Sequence, residues 1–452
     1  MWSLINLSEV CQAGRIDAEH FQPDYLAIEK KVAGFSPVPL GRIASYINRG
    51  VQPEYQEGGT IPVLRTVNVR EHGFSETRQE FVAYEFYREN PRGQVRKGDI
   101  LMTSTGVGTL GRVAYHFEDT PYFADGHITI IRGVRNIKPL FLVTLLQSKI
   151  GFALIERRQR GSSGQIEIYP SDIASIPIPQ LDDKFQQEIV SLQERAHQLR
   201  QKAKSLYAQA EALLLSELGL DDLDLSHQPT YTRNFRQVWS AGRLDAEHFQ
   251  PKYYRLEEVI QSGRFSTCVL GELIEPIRNG FDYRNFVAEG TPYIRVGEIR
   301  IGRIDIEGTL RVPITIKDVD KDIALQPGDI LFTRKGTFGN AAVVRQGQEH
   351  VIISSEIMLL RLKDRRVRPD YLALFLNSQA GYLQVERRVH GVAFYSISQA
   401  DLASILVPIA CEDIQEQLSS LVMRSIETEQ EAKRLLEEAK RRVEAMILGE
   451  NG

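Results

Sequence analysis

The sequence predicts an α+β protein: two similar domains, each a mixed or antiparallel sheet with helices, separated by two long antiparallel helices that form a coiled coil. Three observations predict it. The chain repeats itself: AGRIDAEHFQPDY from Ala13 returns as AGRLDAEHFQPKY from Ala241, ten or more of thirteen positions recurring about 230 residues later. Short alternating runs such as TIPVLRTVNVR from Thr60 and TPYIRVGEIRIGRIDI from Thr291, broken by Gly and Pro, read as strands in both halves. Each half then gives way to a stretch rich in Gln, Glu, Lys, Ala and Leu with apolar residues every three and four positions.

The repeat stays in register. KGDILMTSTGVGTLG from Lys97 answers PGDILFTRKGTFG from Pro327, a strand running into a glycine turn. PLFLVTLLQSKIGFALIERRQRG from Pro139 answers PDYLALFLNSQAGYLQVERRVHG from Pro369, a helix that opens on proline. In the first long helix Ile189, Leu192, Ala196, Leu199, Ala203, Leu206, Ala210 and Leu213 keep coiled-coil spacing. In the second, Leu418, Leu421, Ser425, Thr428, Ala432, Leu435, Ala439 and Met446 keep it less purely. Small residues on the first seam favour close antiparallel pairing of the two helices; the alternative is that each packs on its own domain. About 35 residues of helix extend about 50 Å, the length of a spacer. The expected boundaries are 1–181 for the first domain, 182–219 for its helix, 220–240 for a polar linker, 241–410 for the second domain and 411–449 for its helix.

Composition bounds the function. With 42% hydrophobic and 25% charged residues the chain lies in the ordinary globular range. The N-terminus lacks a basic stretch followed by an apolar core, and no window approaches 18 apolar residues, so a cytoplasmic location without membrane contact is expected. Cys11, Cys268 and Cys411 share no spacing with each other or with the repeat, which argues against a disulfide framework or a cysteine metal site. A net charge of −4 argues mildly against a general polyanion binder, so any basic surface must be local.

GVGTLG from Gly106 fits the G-x-G-x-x-G pattern, but RVAYHF after it reads as a strand where a dinucleotide site needs a helix. It is a tight turn. The chain has no G-x-x-x-x-G-K-[ST], H-E-x-x-H or G-x-S-x-G motif and no Asn-Pro-Pro-aromatic signature of an amino-methyltransferase, so it is expected not to be an enzyme. His20 and His248 recur beside Asp17 and Asp245, Glu19 and Glu247. Asp-x-Glu-His could serve a metal or a proton transfer; with Phe21, Pro23 and Tyr25 as packing neighbours it reads as a structural network.

What differs between the halves is polar. TSTGVGTLGR becomes TRKGTFGN, and RRQRGSSGQIEIY from Arg157 becomes RRVHGVAFYSI from Arg387. These are side chains that reach base edges and phosphates, on a frame that stays constant. For any one arginine a solvated surface or an ordinary ion pair is the commoner state. Candidate DNA contacts in the first half are Arg49, Arg65, Asn68, Arg70, Thr103, Ser104, Thr105, Thr109, Arg112, Arg160, Ser162 and Ser163. In the second half they are Arg278, Asn279, Tyr283, Arg295, Arg300, Thr333, Arg334, Lys335, Thr337, Asn340, His390 and Tyr395. The repeated Glu-Arg-Arg adds Arg157 and Arg158, Arg387 and Arg388, as guanidinium pairs able to hold phosphate oxygens.

The repeated GRIDAEHF opening, the G-D-I-L turns at Gly98 and Gly328, the helices ending near Ser148 and Ser378, and the I-P-I-P or L-V-P segment before each long helix together resemble the specificity subunit of type I restriction-modification systems. The resemblance covers essentially the whole chain. It implies two target-recognition domains reading a bipartite sequence in double-stranded DNA, and paired helices that set the spacing and dock two modification subunits. It further implies that those partners carry S-adenosylmethionine and that a restriction subunit can join them. The chain itself would hold no cofactor and no metal. A stand-alone DNA-modifying enzyme and a protein-interaction scaffold are the rival readings.

Overall fold

The structure is a computed structural model that describes residues 4–70, 73–75, 79–161, 166–221, 223–313, 322–391 and 395–449. It divides into two compact units, residues 1–198 with 431–452, and residues 199–430. Each long helix, Asp183–Glu217 and Glu412–Leu448, is therefore shared between the units.

In the first unit a four-stranded antiparallel sheet runs in the order Ala44–Arg49, Ile128–Val134, Ile100–Thr103, Val113–Tyr115. A second sheet runs Glu80–Val82, Ile61–Leu64, Tyr122–Ala124, Gln94–Val95, with one parallel pair, Phe123 beside Val63. The bent helix pair Pro139–Gln147 and Lys149–Glu156 packs with the first sheet in a core built around Ile100, Met102, Phe141 and Leu145, of which it supplies about a third. No single helix among the described residues is long and apolar enough to cross a membrane.

The second unit repeats this order: Arg278–Asn279, Ile357–Leu360, Ile330–Thr333, Ala341–Val343, and beside it Arg311–Val312, Thr291–Ile294, Ile352–Ile353 with the equivalent parallel pair. The G-D-I-L turns explain part of the repetition. Asp99 is buried, accepts from the Arg96 amide at 2.7 Å and chelates the Arg132 guanidinium through both oxygens at 2.7 Å. Asp329 does the same with the Gln326 amide and Arg361. A carboxylate left there without its guanidinium would be a buried, unpaired charge, so the turn and its distant partner occur together.

The helices pair as expected, and neither packs on its own domain alone: each contributes to the core of both units. In the first unit Ile189 and Val190 join the domain core together with Ala439, Val443 and Ile447. In the second unit Ala210, Leu214 and Leu218 do so with Leu418 and Val422. The pairing is antiparallel: the Ser425 hydroxyl donates to the Ala203 carbonyl at 2.7 Å, and Arg200 meets Glu429 at 3.2 Å. The seam departs from the expected heptads. Leu214 and Leu218 replace Leu213, and Val422, Leu436, Val443 and Ile447 are buried where Leu421, Leu435 and Met446 were expected, Met446 being exposed. An unsupercoiled helix drifts by about 20° per heptad, so a strict 3.5-residue pattern leaves the buried face after a few turns.

Candidate nucleic-acid interface

At one end of each four-stranded sheet the polar loops are gathered by backbone hydrogen bonds, and this gathering is the same in both units. In the first, the Ser104 amide donates to His127 O at 2.8 Å, the Ile168 amide to Ser104 O at 2.9 Å, and Arg160 and Glu167 exchange bonds at 2.7 and 2.9 Å. In the second, Arg334 bonds Glu356 O at 3.0 Å, Ile397 bonds Arg334 O at 3.1 Å, and His390 and Ser396 exchange bonds at 2.8 and 2.9 Å. Gly50 and Gly280 end the first strand of each sheet against neighbouring backbone: a Cβ would stand 2.1 Å from Ala124 O or 1.9 Å from Ile353 O. Only glycine fits there, and it sets the preceding residue, Arg49 or Asn279, beside the gathered loops.

The side chains on this frame differ. Arg49 donates to Glu167 at 2.9 Å and to Ile168 O at 3.0 Å, and its guanidinium lies 5.2 Å from the centre of the Tyr169 ring. The Tyr169 hydroxyl donates to Glu167, and that bond, with the Arg49 bond, holds the Glu167 carboxyl below the usual carboxylate range. Thr105 meets His127 Nδ1 at 3.0 Å, and Arg160 chelates Asp172 at 2.7 and 3.0 Å. In the second unit the matching places hold Asn279, bonded by Gln399 at 3.2 Å, Lys335 with Glu356 at 3.9 Å, and His390 with Asp401 at 3.2 Å. Exposed Tyr395 packs edge-on against Phe338, which stacks on Tyr382 at 5.9 Å. These surface ion pairs are weak and screened, so a phosphate or base edge can displace them at small cost.

The remaining expected contacts fall into three groups. Arg65 reaches Glu80 at 3.6 Å, Arg112 bonds Gly108 O at 2.8 Å, and Arg278, Arg295 and Arg300 pair with Asp322, Glu298 and Asp305 on partly or fully exposed surface. Arg70 lies half-buried on the short strand Val69–Arg70, Arg334 is half-buried within the gathered backbone, Tyr283 is half-buried on the Phe281 loop, and Thr337 is exposed at its turn. Ser162 and Ser163 lie outside the described residues.

A third group belongs to the scaffold and corrects the expectation. Asn68 is fully buried, its amide group bonding Ser75 O at 2.9 Å and the Arg65 amide at 3.1 Å. Thr103 and Thr333 are buried and accept the Arg112 and Asn340 amides, both at 2.9 Å, closing the glycine turns; Ser104 is buried against Thr129. Thr109 bonds Thr105 O at 3.0 Å and Asn340 bonds Ile299 O at 3.0 Å. Arg157 and Arg158 both bind Glu29, and Arg387 and Arg388 both bind Glu257, with side chains only 10–15% exposed. A phosphate would have to replace a carboxylate already held in a desolvated site, so these guanidiniums are internal ties. Sequence reasoning missed His127, Glu167, Tyr169, Glu356 and Gln399. Aligning ADGHITII from Ala124 with ISSEIMLL from Ile353 would have exposed the first and fourth.

The profile of the type I restriction modification DNA specificity domain matches residues 34–206 and 255–440, well over half of the chain. The chain belongs to this family. It is thus a DNA-recognition subunit of a type I restriction-modification system, with DNA and a methyltransferase as its partners. Among solved structures it is similar to the type I restriction-modification S subunit from M. genitalium, at 13% identity over 91% of this chain and 94% of that one, TM-score 0.40. It is also similar to the HsdS subunit from Thermoanaerobacter tengcongensis, at 17% identity over 91% and 95%, TM-score 0.27. At such values the family profile, not the superposition, carries the assignment. No curated protein matches the chain.

Proposed function

We propose that each unit of this specificity subunit reads one half of a split DNA sequence through its own gathered loops, and that the chain performs no chemistry. Two modification subunits would bind S-adenosylmethionine and transfer the methyl group to adenine, with restriction subunits joining that complex. The carrying observation is the pair of loop clusters whose backbone bonds coincide while Arg49, Thr105, His127 and Arg160 give way to Asn279, Lys335, Glu356 and His390. A constant frame with exchanged donors and acceptors suits two base sequences. In this reading the long helices act as the spacer, and the acidic overall balance leaves part of the DNA affinity to the partners.

The test is selection of random duplexes by the complex of this chain with its modification subunits, beside mapping of methylated adenines in the host genome. A split motif with an unspecific spacer is expected from both. Exchanging residues 40–180 for those of a relative should then change one half of the motif and leave the other. Methyl transfer by the isolated chain, or enrichment of no DNA sequence, would overturn the reading.

A further inference from the structure

The repeated AGR-[IL]-DAEHF segment is the longest identity between the halves, and it lies outside both loop clusters. In each unit a short helix, Leu7–Ala13 or Phe235–Ala241, ends at a glycine with φ of +62°, Gly14 or Gly242, and an arginine follows. Arg15 chelates Asp17 through Nε at 2.8 Å and Nη2 at 2.6 Å, and the same Nη2 donates to the Gln159 carbonyl at 2.8 Å. His20 Nδ1 meets the Arg157 carbonyl at 2.7 Å, and Arg157 Nε returns a bond to His20 O at 3.0 Å. Arg243 chelates Asp245 at 2.8 and 2.6 Å and reaches the Val389 carbonyl at 3.3 Å, while His248 meets the Arg387 carbonyl at 2.8 Å.

The clamped carbonyls have a meaningful place in the chain. Gln159 and Val389 immediately precede Arg160 and His390, residues at which the two loop clusters differ and whose backbones bridge to Glu167 and Ser396. Arg157 and Arg158, tied to Glu29, hold the same corner from the helix side. Asp17 fixes the plane of the Arg15 guanidinium, whose side chain is 15% exposed, so the arginine is turned inward to backbone and not outward to solvent.

We propose that Arg15 and Arg243 are positioning residues for DNA reading: each clamps the backbone just before Arg160 or His390 and so fixes the aim of that side chain at its unit's half-site. The inference rests on the proposed two-half reading. A planar guanidinium fork can chelate a carboxylate and still donate to a carbonyl; a lysine ammonium keeps the charge and loses the fork. If Arg15 served as a phosphate contact, Lys would replace it; if it positions by geometry, Lys will not.

The experiment uses the full chain with its modification subunits and a random duplex library, comparing wild type with Arg15→Lys, Arg15→Ala, Arg243→Lys and Arg243→Ala. Melting temperature and active fraction are measured for each. Discrimination at one half of the motif should fall about tenfold in both Arg15 variants, and at the other half in both Arg243 variants, with the salt dependence of binding unchanged. Unaltered motifs, equal losses in both halves, or full restoration by lysine would overturn the inference alone. A wild-type complex that selects no split motif would overturn the two-half reading and this inference with it.

Discussion

The loop cluster of the first unit and that of the second hang on the same backbone bonds and share almost none of their side chains. The first is built on two arginines, a histidine and an aromatic ring: Arg49 and Arg160 flank Tyr169, and His127 faces Thr105. The second offers Lys335 against Glu356, an Asn279–Gln399 amide pair, and the rings of Phe338 and Tyr395. Beneath both, Asp99 with Arg132 and Asp329 with Arg361 are interchangeable, as are Glu29 and Glu257 with their paired arginines. The difference teaches where change is free. A loop held by amide-to-carbonyl bonds tolerates any side chain that reaches solvent, whereas a buried charge tolerates no loss of its one partner.

Breaking the shared layer should have the largest effect. Asp99→Ala strands the Arg132 guanidinium and should cost about 3–5 kcal/mol, and Asp329→Ala should cost the same in the other unit. Chemical denaturation would then show one early transition, belonging to the altered unit; two unchanged transitions would refute equivalence of the turns. Exchanging the divergent layer should leave folding alone and move specificity. Arg49→Asn, Thr105→Lys, His127→Glu and Arg160→His together should cost about 1–3 kcal/mol of discrimination for each base misread in one half-site. The other half, scored in the same selection, should not change.

Smaller effects separate internal ties from contacts with DNA. Arg158→Ala or Arg388→Ala should lower unfolding free energy by about 1–3 kcal/mol while the folded protein keeps its salt slope for DNA. A slope reduced by about one would return these arginines to the phosphate-contact role. The weakest expected effect is a pH dependence. Burial pulls the His20 and His248 imidazoles below the ordinary value of 6.5, so the unfolded chain takes up more protons as pH falls. Their contribution is complete above about 6.5 and is lost below it, and His20→Asn, which keeps a donor for the Arg157 carbonyl, should flatten part of that loss. Melting curves at pH 7.5 and 5.5 would check it.

The duplication, the sheet-rich halves, the glycine turns and the two long helices were legible because each leaves a local pattern: a recurrence, a period of two, a D-I-L turn, a period near 3.5. The structural reading of Asp-x-Glu-His was legible too, since packing residues surround it in sequence. Tertiary structure alone decided which arginines are available. Arg157 and Glu29 lie 128 positions apart, and nothing near Glu-Arg-Arg announces that a carboxylate from the helix Pro23–Ala33 will occupy both guanidiniums. Aligning the halves pairs His127 with Glu356, but only the fold brings each into its cluster, through a backbone bond from Ser104 or Arg334 more than twenty residues away. The helix seams moved by one position because an unsupercoiled helix drifts off a 3.5-residue pattern, and the positions it turns inward are those that meet a domain core. Local pattern is written in the chain, whereas the burial that turns a charge from a contact into a tie is a property of what packs around it.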